Sequence, residues 1–169
     1  LTNSVENIQR YAEAGAGAIV LKSLFEEQII ADRDLLLNQD LMYYWYPEAV
    51  DYISNYTKEQ GVEEYLSLIK AAKKAVDIPI IASINCITPK QWPAFSKRIE
   101  RAGADALELN ISISPTDING VGSKIEQTYF TIIYEVLKST DLPISVKISY
   151  YITNLGNFIA RLSYTDIQS

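Results

Sequence analysis

The sequence belongs to the α/β class, with parallel strands joined by helices, and three observations carry that expectation. Four short runs rich in Ile, Val and Leu recur along the chain. Helix-period segments separate them. The joints between helix and strand repeat almost literally, AEAGAGAIVL at 12–21 against ERAGADALEL at 100–109. Alternation of helix and strand with short links implies crossover connections and a parallel sheet. Reuse of one joint marks an αβ module employed three or four times along these 169 residues.

The elements follow in order. A helix over 4–14 (SVENIQRYAEA) opens the chain, with Ser4 and either Asn7 or Thr2 as its N-cap region, and it presupposes a strand before it. The first strand covers Ala18 to Leu24 (AIVLKSL). A long connection from Phe25 to Gly61 carries Tyr43, Tyr44, Trp45 and Tyr46 ahead of Pro47, and is too long for a plain turn. It either packs on the barrel top as helix or loop, or forms a substrate lid or partner surface. A helix over Val62 to Ala75 then leads to a strand from Ile78 to Asn85, a helix over Pro89 to Ala102 to a strand from Ala106 to Ser112, and a helix over Lys124 to Ser139 to a strand from Pro143 to Ser149. Gly15 and Gly103 supply the left-handed residue that turns helix into strand, while KKAVDIPI and KSTDLPIS do the same work with Asp and Pro. NGVGS at 119–123 reads as a turn, since two glycines alone do not make a phosphate loop.

Side chains alternate along a strand, so each run divides into two faces by parity. Ile144, Val146 and Ile148 oppose Ser145, Lys147 and Ser149; Leu107, Leu109 and Ile111 oppose Glu108, Asn110 and Ser112. Ile80, Ala82 and Ile84 oppose Ile81, Ser83 and Asn85, and in the first run Lys22 lies with Ala18 and Val20, opposite Ile19, Leu21 and Ser23. One face is apolar and the other turns polar towards its C-terminal end. A doubly wound sheet is covered on both faces and reads apolar on both. The pattern therefore predicts a (β/α)8 barrel, with outer helices on the apolar face and polar groups pointing inward at the C-terminal mouth, where such barrels carry their sites. Two lysines, a glutamate and two asparagines inside a barrel need a reason, because a desolvated unpaired lysine is costly. Either Lys22 and Lys147 snorkel or pair with Glu108 as a structural cluster, or the mouth receives an anionic or electron-rich planar ligand.

Composition narrows the chemistry. The chain is 48% hydrophobic and 21% charged, enough for one domain with a core over residues 1–169. It has no His and a single Cys, which excludes a His-based triad, a His or multi-Cys zinc site and an intrachain disulfide. That one cysteine, Cys86, reads as a small buried residue beside Asn85. A net charge of −6 with a pI near 4.7 argues against nucleic acid as a partner. No apolar run approaches about 18 residues, and LTNSVENIQR lacks the basic and apolar regions of a signal peptide, so no membrane partner and a cytoplasmic location are expected.

LKSL at 21–24, ASIN at 82–85, ELNIS at 108–112 and VKIS at 146–149 stand in this order over nearly the whole chain. Together they resemble the flavin-dependent dihydroorotate dehydrogenase family, more closely its divergent bacterial dihydroorotate dehydrogenase-like branch. The resemblance implies a (β/α)8 barrel holding FMN that oxidises dihydroorotate, or a related CH–CH substrate, to orotate in pyrimidine biosynthesis, with hydride passing to flavin N5 and a proton to a Cys or Ser. By match, Lys22 and Ser23 contact flavin, Lys147 sits by its N1/O2 edge, and Asn85 and Asn110 hydrogen-bond flavin or substrate. A cation at that edge stabilises the charge of reduced flavin. Two departures stand out. The family base follows the Asn by three positions in an NxSCPN or NxSSPN segment, but here that position is Ile113 and Ser114-Pro115 comes one residue late. Ser114 is thus either the candidate base or a residue starting a turn. The family's substrate loop of Asn-Ser-x-Gly-x-x-Asn type has no counterpart in Leu35 to Val50.

A (β/α)8 domain takes about 250 residues, whereas four strands are legible here. By the family pattern they are strands two to five, and RLSYTDIQS stops where the repeated joint launches the next. The phosphate site of such barrels lies after strands seven and eight, so the 169 residues alone are expected to bind FMN weakly or not at all and to be oligomeric, as a homo-oligomer, or poorly stable. Beside a small-molecule-binding flavoenzyme stands a second reading, a non-catalytic truncated barrel fragment that folds or functions only with another chain. A tRNA dihydrouridine synthase, also a flavin barrel, conflicts with the acidic balance.

Overall fold

A computed structural model describes residues 2–25, 47–85, 92–113, 120–150 and 152–168. Helix α1 (Val5–Glu13) leads into β1 (Ile19–Val20) and β2 (Leu24–Phe25); α2 (Pro47–Ala75) precedes β3 (Ile80–Asn85), α3 (Trp92–Ala102) precedes β4 (Ala106–Asn110), α4 (Gly122–Leu137) precedes β5 (Ile144–Lys147), and α5 (Leu155–Leu162) follows. All pairings among the described residues are parallel, in the order β1-β3-β4-β5, with β2 carrying the first strand onward along β3.

The repeated joint is a repeated structure. Gly15 and Gly103 sit at φ +93° and +94°, where an L side chain is strained. In both, the glycine N–H donates to the carbonyl three residues back (Gly15 to Ala12, 2.9 Å; Gly103 to Glu100, 3.0 Å) and the next alanine to the carbonyl five back (Ala16 to Tyr11, 3.0 Å; Ala104 to Ile99, 3.4 Å). The first helix is capped as expected, its Ser4 side chain accepting from the Asn7 N–H at 3.4 Å.

The apolar parity holds. Ile19, Leu21, Ile80, Ala82, Ile84, Leu107, Leu109 and Ile144 are all buried under the helices, and full burial of one such Ile or Leu contributes about 1.5–3 kcal/mol. On the opposite, open face Val20 is 42% exposed. Helix α5 docks through Phe158, fully buried with its ring 5.5 Å from Tyr129 and 5.2 Å from Phe130, while Arg161 lies 4.2 Å over the Phe130 ring.

At the N-terminal ends of the strands one device recurs. Asp105 N–H donates to Ile80 O (2.9 Å) and its carboxylate accepts from Ile80 N–H (2.7 Å); Gln168 N–H donates to Ile144 O (2.9 Å) and its Oε1 accepts from Ile144 N–H (2.6 Å). Gln168 therefore stands to β5 as Asp105 stands to β3, at the N-terminal end of the strand. On the other outer edge, Thr2 O accepts from Lys22 N–H at 3.3 Å and Thr2 Oγ1 donates to Val20 O at 2.8 Å.

Four expectations need correction. The first run is two strands, not one, because an extra residue interrupts it. The helix expected from Val62 begins at Pro47, so the Phe25 to Gly61 connection is helical over its second part. β3 ends at Asn85 as expected, but two strands stop sooner than their apolar runs, β4 at Asn110 and β5 at Lys147. Helix α5 (LGNFIARL) is too short to show a helical period in the sequence and is not among the expected elements.

Candidate functional site

The open face is built in rows that the register fixes. Ser83 pairs with Glu108 and Glu108 with Ser145; Asn110 pairs with Lys147, and the same register, continued, sets Asn85 beside Asn110 and Phe25 beside Asn85. These polar groups lie at the C-terminal ends of the strands.

The first strand reaches these rows by a bulge. Ile19 pairs with Ile80, yet Leu24 pairs with Ile84, so five residue steps face four. Leu21 N–H still donates to Ile81 O (2.9 Å) in the earlier register, whereas the Ser23 hydroxyl already meets the Ser83 hydroxyl (2.6 Å) in the later one. Lys22 is the extra residue. The parity reading had Ser23 on the apolar face with Ile19 and Leu21; the bulge moves it to the polar face and leaves Lys22 exposed, outside the ladder.

Such a bulge deprives one N–H of β3 of its strand partner, and a buried side chain supplies it. Odd residues of β3 direct their backbone groups towards β1, as Ile81 O shows, so Ser83 is the next in line. Its N–H donates to the Tyr65 hydroxyl at 2.8 Å, and that hydroxyl donates to Ser83 O at 3.0 Å. Tyr65 comes from α2 and is only 7% exposed. Burial pushes its hydroxyl far above the ordinary phenol range, the Ser83 hydrogen bond opposes that shift, and the negative charge of Glu108 adds to it. A second tyrosine ties the neighbouring strand ends: Tyr129 donates to Ile111 O at 2.9 Å and lies 3.4 Å from Ser149 Oγ.

On the open face Ser83 Oγ donates to Glu108 Oε1 at 2.6 Å, Ser23 and Ser83 share their 2.6 Å contact, and Asn110 Nδ2 donates to Ser23 Oγ at 3.4 Å. Lys147 and Lys22 are exposed, and among the described residues neither pairs with Glu108. The structural cluster of lysines and glutamate is not formed, and the desolvation expected of the lysines does not occur, because this face is open. Of the residues singled out from the sequence, the structure brings Ser23 and Asn110 into hydrogen-bonding contact, sets Lys147 and Asn85 on the strands flanking Asn110, and leaves Lys22 at the bulge. Ser114, Cys86 and the aromatic residues 43–46 lie outside the described residues. Sequence reasoning missed Tyr65; the available signal was a tyrosine on the apolar stripe of VEEYLSLIKAAKKA, whose hydroxyl needs a partner when buried.

A parallel sheet helix-covered on one face, with polar groups at the C-terminal strand ends of the other, defines a segment of the TIM-barrel class. Comparison with solved structures agrees: the chain is similar to dihydrodipicolinate synthase from Agrobacterium tumefaciens str. C58 (TM-score 0.59, 19% identity, 97% of this chain and 45% of that one) and to dihydrodipicolinate synthase from Bacillus anthracis (TM-score 0.57, 16% identity, 96% and 45%). At such identity the likeness shows the fold alone. Among curated proteins it is similar to the catalytic subunit of dihydroorotate dehydrogenase B (NAD(+)) from Thermoplasma volcanium, 27% identical over 151 residues, which are 85% of this chain and 45% of the relative. The chain thus spans about half the length of the proteins it matches. No family model matches it.

Proposed function

We propose that the chain is part of a flavin-dependent oxidoreductase of the dihydroorotate dehydrogenase type, acting on dihydroorotate or a related CH–CH substrate with FMN as cofactor. The observation that carries this reading is the register that sets the exposed cation of Lys147 beside Asn110 at the mouth of a barrel-type sheet. The 27% likeness to a dihydroorotate dehydrogenase catalytic subunit supports it.

The residues present fit the polar edge of a flavin ring: a cation without a carboxylate partner among the described residues, flanking amides, and hydroxyls held in a network. Lys22, Ser23, Asn85, Asn110 and Lys147 would hold it. Bound FMN supplies a hydride acceptor. Lys147 offers fixed positive charge to an electron-rich edge, and Asn85 and Asn110 orient a planar partner by hydrogen bonds. Ser114 is the candidate to take the substrate proton.

Anaerobic addition of dihydroorotate to the FMN-loaded protein tests the proposal. Loss of the yellow absorbance is expected, slowed more by Lys147→Met than by Lys22→Met. Colour that persists with dihydroorotate in excess overturns the assignment.

A further inference from the structure

Four polar side chains on the open face form one chain of hydrogen bonds across three strands, and its direction is fixed at one end. Glu108 is a carboxylate and can only accept. Ser83 has one hydroxyl proton and gives it to Glu108 at 2.6 Å. At the 2.6 Å contact with Ser23, Ser83 is therefore the acceptor and Ser23 the donor. Ser23 has then used its own proton, so towards Asn110 it too can only accept, and it does so from Nδ2 at 3.4 Å. Turning the Asn110 amide over would set its oxygen against a hydroxyl with no proton left to offer, an arrangement of two acceptors. Ser83 is fully buried and its backbone is held by the Tyr65 hydroxyl, which fixes the place of its Oγ between Ser23 and Glu108.

We infer that Glu108 is a specificity-determining residue acting through Ser83 and Ser23: it commits the Asn110 Nδ2 inward, so that Asn110 presents its Oδ1 to the ligand and selects a hydrogen-bond donor, an imide N–H, at that position. This rests on the flavin reading for its choice of ligand. The ring of FMN and the pyrimidine ring of dihydroorotate both carry such an imide, and the chemistry that Asn110 recognises is common to the two. Lys147, paired with Asn110 across the strands, adds a cation beside that acceptor, which suits the electron-rich carbonyls flanking an imide nitrogen. Glu108 itself is a positioning residue here, since it reaches the ligand only through its neighbours.

The deciding measurement needs no ligand. In an amide NMR spectrum of the 169-residue chain, the side-chain NH2 pair of Asn110 is identified by its loss in Asn110→Asp. Glu108→Leu removes the terminal acceptor at this half-buried site and is expected to move that pair. Glu108→Gln, whose side-chain oxygen can still accept from Ser83, is expected to restore it towards its original position. An Asn110 pair unmoved by Glu108→Leu, or moved equally by both variants, overturns the inference. Because folding could be affected, the backbone amide spectrum of each variant is compared first; Ser83→Ala repeats the test by cutting the chain one link later, and the same shift is expected. Titrations with FMN, with orotate and with analogues of each methylated at the imide nitrogen then separate the two sources. Binding lost on methylation of one ring identifies that ring as the partner of Asn110, and methylated and parent rings bound alike contradict the selection of an N–H. Bound flavin that dihydroorotate does not reduce refutes the flavoenzyme proposal, while the Asn110 resonances still decide the direction of the chain.

Discussion

Tyr65→Phe removes one oxygen atom and leaves the ring in place, which makes it the cleanest probe of how the site is held. The hydroxyl is buried and makes two bonds, accepting from Ser83 N–H at 2.8 Å and donating to Ser83 O at 3.0 Å. The bulge at Lys22 has taken the earlier strand out of reach of the Ser83 N–H, which has no replacement in the sheet, whereas Ser83 O faces Leu24 through the Leu24–Ile84 pairing. A buried backbone group left unpaired costs about 1–3 kcal/mol. The expected loss is therefore about 1–3 kcal/mol, carried by the N–H. For a chain of this size that corresponds to a fall in Tm of roughly 2–12 °C. Urea unfolding followed by far-ultraviolet circular dichroism measures it, with Tyr129→Phe as the comparison: there the Ile111 carbonyl loses its donor at 2.9 Å, and about 1–2 kcal/mol is expected. A Tyr65→Phe cost below about 1 kcal/mol, or one no larger than that of Tyr129→Phe, would show that the hydroxyl does not stand in for the missing strand partner.

Three further expectations follow from the same structure. The Tyr65 hydroxyl titrates above its ordinary value of 10.0 in the folded chain, so its contribution is complete below that pH and is lost as pH rises, when the unfolded chain ionises first; alkaline destabilisation above this point should be shallower in Tyr65→Phe, as pH-dependent unfolding will report. Gly15→Ala and Gly103→Ala each place a Cβ in the left-handed region with open space around it, so each should cost about 1–2 kcal/mol from backbone strain alone, equal within error in thermal melts. For Asp105, partial burial pushes the carboxyl up, but the hydrogen bond from Lys73, the Ile80 N–H and the Lys73 charge outweigh it and hold the group below its usual range. Its stabilisation is therefore present at neutral pH and is lost as pH falls through the depressed value; with the side chain 37% exposed, Asp105→Ala should cost only about 1 kcal/mol, less in high salt.

What the sequence revealed and what it hid divide along a physical line. The glycine joints were legible because a left-handed residue after a helix is a local requirement, the same at Gly15 and at Gly103. The helix-covered face was legible because parity survives wherever the ladder is regular, and it correctly placed Glu108, Asn110, Asn85 and Lys147 on the polar face. At Lys22 parity failed, since one extra residue inverts every side chain after it, and what stabilises that extra residue is a hydroxyl on a helix distant in sequence. Helix α5 was not legible for a related reason: eight residues containing Gly156 do not form a helix on propensity, and the segment owes its structure to Phe158 packing on Tyr129 and Phe130. No helix among the described residues is long and apolar enough to cross a membrane.

The central claim is that the open face, at the C-terminal ends of the strands, is where a flavin ring binds. The most direct test is titration of isotopically labelled protein with FMN, followed by amide NMR, which registers weak binding as readily as tight. Shifts confined to Ser23, Ser83, Asn85, Asn110 and Lys147 and their neighbours, and diminished in Lys147→Met, are the predicted result. Shifts clustered on the outer helices around Lys70 and Arg101, with the open face unmoved, would contradict it.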